Sequence, residues 1–101
     1  MRTPTLERDH PAGFGGVQKL YRFANGYGAS VVQFCYSYGG PEGKWELAVL
    51  KYDGDGEDDC EITYDTPITD DVVGYLSDDE VDDILEWIEM LPTDITKDQE
   101  V

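Results

Sequence analysis

The side chains able to do chemistry in this sequence are overwhelmingly carboxylates. Of 101 residues, 23 are Asp or Glu, seven are Lys or Arg and one is His, for a formal net charge of −16. The lone histidine, His10, stands beside Pro11 in a Pro- and Gly-rich stretch. A catalytic or metal-bound imidazole needs a fixed neighbour to set its tautomer, and such a stretch offers none. Cys35 and Cys60 have no companion ligands to complete the four of a structural zinc site. No Ser/His/Asp or Cys/His/Asn set can be assembled. Gly13-Phe14-Gly15-Gly16 lacks the Lys-Ser/Thr ending of a phosphate loop. Asp53, Asp55 and Glu57 alternate as calcium ligands do, but the sixth loop position is Asp58 instead of Gly and the twelfth is Tyr64 instead of Glu. Carboxylates are so numerous that a close pair has no diagnostic value for glycosidase chemistry. The expectation is a protein that is not an enzyme and uses no metal or cofactor.

The carboxylates are unevenly placed. Residues 1–52 carry six basic and four acidic side chains, whereas residues 53–89 carry sixteen acidic ones and no Lys or Arg. This balance disfavours direct contact with nucleic acid or an anionic membrane and favours a basic partner. Asp79, Asp82, Asp83, Glu86 and Glu89 share one side of the helix expected there. They cover about 15 Å of axis at ~1.5 Å per residue, roughly one charge per 3–4 Å. A DNA strand carries a phosphate about every 3.4 Å. Like charges three or four apart cost a helix about 0.2–0.5 kcal/mol per pair, with no basic residue in the segment to offset them. Asp55, Glu57, Asp58, Asp59, Asp70 and Asp71 can extend the row. Two readings stand: a surface that binds a partner, or a solvated face that serves solubility.

The elements that must carry these residues can be read in outline. The chain has the size of one domain with a modest core. Hydrophobic residues make up 40%, including seven Tyr, three Phe and two Trp, which is enough to fold. No apolar run approaches the ~18–20 residues of a membrane span, and residues 1–16 lack the apolar core of a signal peptide. A cytoplasmic location follows, with Cys35 and Cys60 as free, buried thiols. Residues 1–16 read as a mobile arm, 17–91 as one domain and 92–101 as a frayed tail. Strands are expected at Val17–Ala24, Ala29–Tyr38, Lys44–Tyr52 and Cys60–Tyr64. Asn25-Gly26 forms a two-residue hairpin turn, both residues tolerating positive φ. The third strand, apolar on both faces, is expected to be buried on both. Thr69 can cap a short turn or helix through Leu76, weakened by Gly74. Ser77-Asp78-Asp79-Glu80 is a capping box. Its helix runs to about Leu91, because Pro92 cannot continue it. Val81, Ile84, Leu85, Ile88 and Leu91 fall within an arc of ~120° that packs on the sheet. The fold expected is α+β: a four-stranded antiparallel meander with a C-terminal amphipathic helix on one face. One sheet face then needs cover, and Tyr21, Phe23, Tyr36 and Tyr38 offer a self-association patch.

Three stretches, Tyr21–Val32, Trp45–Leu50 and Tyr64–Val72, resemble a group of short acidic proteins encoded by bacteriophages of actinobacteria. The resemblance covers roughly residues 17–91. It implies a phage origin, which favours a host-directed inhibitor, and it implies nothing about catalysis. The leading expectation is a non-enzymatic, DNA-mimic type of protein that competes with nucleic acid for a basic protein in the cytoplasm of a bacterial host. The alternative is an assembly module that homodimerises through its sheet face or edge, its acidity serving only solubility.

Overall fold

The structure is a computed structural model. It describes residues 4–9, 15–35, 37, 39–52, 60–63, 66 and 72–92. The fold is organised around β4 (Trp45–Tyr52), whose Trp-Glu-Leu-Ala-Val-Leu-Lys-Tyr sequence is apolar at six of its eight positions. Leu47 and Val49 are buried on one face of the sheet, Leu50 and Tyr52 on the other. A strand covered on both faces needs such a run, as expected from the sequence.

Along one edge of β4 runs antiparallel β3 (Tyr27–Gln33), followed outward by β2 (Val17–Arg22) and β1 (Leu6–Asp9). The other edge of β4 is divided. β5 (Cys60–Ile62) pairs with its C-terminal end and β6 (Val73–Leu76) with its N-terminal end. Among the described residues the sheet therefore has six antiparallel strands, two more than the four-stranded meander expected from sequence.

Both added strands have physical causes. β1 lies in the stretch read as a mobile arm. It pairs residue by residue with β2, from Leu6↔Leu20 to Asp9↔Val17, and four residues show too little alternation to be noticed. β6 replaces the end of the short helix expected over Thr69–Leu76. Beside Trp45 and Leu47 the edge of β4 extends beyond the reach of β5, and unpaired backbone groups there would be costly. Val73 and Gly74 are weak helix formers, and Val favours a strand. Thr69, Asp70 and Asp71 lie outside the described residues, as do Tyr64 and the tail from 93 to 101. β3 ends at Gln33, short of the expected Tyr38, because the Ser37 hydroxyl bonds the backbone of Phe34 and turns the chain. A 3₁₀ turn at Gly40–Glu42 follows. Both thiols are free, but Cys35 is exposed and Cys60 half-buried, not buried as expected.

The β2–β3 connection is one residue longer than a two-residue turn. Gly26 N–H donates to Phe23 O (3.2 Å) and Phe23 N–H to Tyr27 O (2.8 Å). Gly26 alone takes a positive φ, +88°, while Asn25 does not. This matches the hairpin loop in which a left-handed glycine follows the turn. The Asn25 side chain has a different use. It is only 8% exposed. Its amide nitrogen reaches the carbonyls of Ile88 (2.8 Å), Glu89 (3.2 Å) and Leu91 (3.0 Å), and its oxygen accepts from Tyr27 N–H (3.0 Å).

Those carbonyls end the helix α1 (Asp78–Glu89). At its start the capping box is complete: Glu80 N–H donates to Ser77 Oγ and Ser77 N–H to the Glu80 carboxylate. Val81, Ile84, Leu85 and Ile88 are buried against Tyr21, Ala29, Val31, Leu47, Val49 and Leu76, with Leu91 packed at the margin. The Trp45 indole N–H donates to Asp78 (2.7 Å). Side chains from the sheet thus tie both ends of the helix. The opposite face of the sheet holds a smaller cluster of Leu20, Leu50 and Tyr52. Beside it Arg8 donates to Gln18 and Gln18 to Ser30.

One strand residue departs from ordinary backbone. Tyr75 has φ +58°, the one non-glycine positive φ among the described residues. It sits where the β6–β4 register shifts, between the pairs Trp45↔Leu76 and Leu47↔Val73. Left-handed Gly39 lies directly against it. A Cβ there would come within 2.8 Å of Tyr75 Cα and 3.0 Å of Lys44 Cβ.

Replacing Asn25 by Ala strands helix-end carbonyls in a buried place. Unsatisfied buried groups cost about 1–3 kcal/mol each, so Asn25→Ala should lower stability by roughly 2–3 kcal/mol in urea unfolding. Asn25→Asp should do no better, since a carboxylate would face carbonyl oxygens.

Candidate partner-binding surface

The site builds from the helix outward. At 100° per residue, the positions opposite the buried row of α1 are Asp79, Asp82, Asp83, Glu86 and Glu89. Four of them are exposed and Asp82 is half-buried. The row read from sequence is therefore assembled on one element. Its proposed extensions, Asp55, Glu57, Asp58, Asp59, Asp70 and Asp71, lie outside the described residues.

Asp78 holds Trp45, and Glu80 closes the capping box. The Glu80 carboxyl is held below its usual range, first by the Ser77 backbone N–H, then by the Ser77 hydroxyl, with a smaller contribution from Lys44. Acids in the first turn suit the helix dipole. Glu86 and Glu89 at the other end oppose it, and the last turn carries no basic residue. That end is met by the neutral amide of Asn25. Apart from Asp79, in the first turn, the charge row is thus not arranged for helix stability.

Beside the row lies a feature that sequence reading missed. Val73 and Leu76 of β6, with Glu80, Asp83, Ile84 and Trp87 of α1, line a groove of about 330 Å³. Trp87 and Tyr75 are each 56% exposed. Trp87 falls outside the apolar arc of the helix, between that arc and the acids. A tryptophan at such a position, on a helix otherwise cleanly divided, was the available signal.

The expected self-association patch is not where sequence placed it. Tyr21 is 2% exposed and lies under the helix, and Phe23 packs against the same cluster. Alternation correctly grouped these residues on one face, but that is the face α1 covers. Tyr36 and Tyr38 lie outside the described residues. The Tyr21 hydroxyl is itself unusual: it is buried and has no hydrogen-bond partner among the described residues. Burial, then the charges of Asp82 and Glu7, push its pKa above the usual tyrosine value.

Among the described residues no cluster of His, Cys, Asp and Glu could hold a metal ion. No helix among them is long and apolar enough to cross a membrane. The fold and surface define an α+β protein in which a one-signed helix face adjoins an apolar groove. No protein-family model matches the chain, and no curated protein or solved structure matches it either.

The orphaned hydroxyl generates a prediction. Tyr21→Phe keeps the ring and removes a buried unsatisfied group, so stability at neutral pH should rise by about 1 kcal/mol. The sign with pH is also fixed. The folded pKa lies above the unfolded value of about 10, so above that pH the unfolded chain ionises first and stability falls. Urea unfolding at neutral pH and near pH 11 should show a shallower alkaline loss in Tyr21→Phe than in the parent.

Proposed function

We propose that this chain is a non-enzymatic binding protein whose acidic helix face competes with nucleic acid for a basic protein. The observation carrying this reading is the outer face of α1. It sets Asp79, Asp82, Asp83, Glu86 and Glu89 along one side, with no Lys or Arg on the helix. Mixed charges would keep a surface soluble without this mutual repulsion. The repulsion is retained even at the helix end, where the dipole makes acids unfavourable. An electrostatic partner accounts for both. Approach would be steered by long-range attraction and followed by docking, so binding should weaken steeply with salt. The partner class is a protein with a phosphate-binding surface. The resemblance to phage proteins makes a host protein of an actinobacterium the place to look, and the host cytoplasm the place of action.

The immobilised full chain should capture basic nucleic-acid-binding proteins from such a lysate at low salt. Duplex DNA and high salt should both displace them. A variant combining Asp79→Asn, Asp83→Asn, Glu86→Gln and Glu89→Gln should fold with unchanged or higher stability and lose most of the capture. Capture unaffected by those substitutions would overturn the reading.

A further inference from the structure

The groove between β6 and α1 supplies what a row of acids lacks, a means of selecting among cations. Its floor and one wall are Val73, Leu76 and Ile84, and Trp87 stands half-exposed at its rim. Glu80 and Asp83 line the same groove, so an occupant meets apolar surface and negative charge together. By helical position Asp79 and Glu86 lie on the next row outward. We infer that the groove is a docking site for an apolar side chain carried on an Arg- or Lys-rich segment of the partner. The inference rests on the acidic-face reading for its charged component.

Charge selects this occupant over others. A second copy of the chain would bring another net charge of −16 to a rim that is already acidic. An anionic lipid surface is opposed for the same reason. Backbone also restricts the mode of docking. β6 is four residues long and left-handed Tyr75 interrupts its register, so it offers no run for an added strand. Side-chain insertion remains. A volume near 330 Å³ suits one or two side chains. Basic residues flanking the inserted group would face Asp83, Glu86 and Asp79. A phosphate mimic alone would treat cationic surfaces alike, whereas a groove beside it distinguishes those that carry a correctly spaced apolar anchor.

Calorimetric titration of the full chain with three synthetic peptides tests this. One is Arg/Lys-rich with a single central Leu; the second has Ala in place of that Leu; the third keeps the Leu but replaces every Arg and Lys with Gln. The Leu-bearing cationic peptide should bind about tenfold tighter than its Ala counterpart, and that ratio should persist as salt is raised. Trp87→Ala, a change at an exposed position, should remove most of the advantage of the Leu peptide over the Ala peptide. Equal binding of the two cationic peptides would overturn the groove while leaving the acidic face standing. Binding of the Gln peptide as tight as that of the cationic Leu peptide would overturn the choice of a cationic occupant. Failure of both cationic peptides to bind at low salt would overturn the acidic-face reading and this one with it.

Discussion

A single asparagine amide closes the acidic helix at its C-terminal end. α1 carries no basic residue, and its last turn places Glu86 and Glu89 against the negative pole of the helix. The usual remedy, a Lys or Arg near the C-terminus, would break the one-signed face. Asn25, reaching across from the β2–β3 turn, satisfies the terminal carbonyls without adding charge. At the other end the Ser77–Glu80 capping box satisfies the helix start and the Trp45–Asp78 bond ties it to β4. Between these ties the balance is favourable. Burying each of Val81, Ile84, Leu85 and Ile88 contributes about 1.5–3 kcal/mol, while each like-charge pair costs about 0.2–0.5 kcal/mol. Burial on the inner face therefore outweighs repulsion on the outer one, and the outer face is released from stability requirements.

The same separation runs through the molecule. Asp78, bonded to Trp45, and Glu80, in the capping box, lie at the helix start, where the dipole favours acids. The sheet has its own polar order on the far side, where Arg22 lies over the Tyr52 ring and Arg8 bonds Gln18. Lys19 lies over the Trp45 ring, on the strand that anchors the helix. The described cations thus belong mainly to the sheet. The net charge of −16 is borne by a chain whose sheet-forming half is close to neutral.

What could be read from sequence followed the range of the interactions. The capping box, the buried row of α1 and the double burial of β4 all rest on neighbours within a few residues, or on one strand's own apolar pattern. They were legible at residue level. β1 and β6 were not, because four-residue strands declare themselves only through their partners, and the β6–β4 pair joins residues nearly thirty apart. The face carrying Tyr21 and Phe23 was legible as a face, but not which face the helix would choose. Asn25 was legible as a turn residue and illegible as a helix cap, because that role appears only when residue 88 is brought to it. Trp87 was visible throughout, yet without β6 there was no second wall to make its position meaningful.

The contact between Gly39 and Tyr75 has a consequence for how this sequence can drift. Both residues sit in left-handed backbone, and Tyr75 occupies the space that a side chain at position 39 would need. A side chain at position 39 would strain its own backbone and press on Tyr75. A shift of Tyr75 to ordinary geometry would move the chain entering α1, and with it the wall of the groove. The turn before β4 and the bulge before the helix therefore constrain one residue between them, the glycine at position 39. In divergent relatives, position 39 should remain glycine for as long as residue 75 keeps its bulge, whatever happens to the acids between 53 and 89.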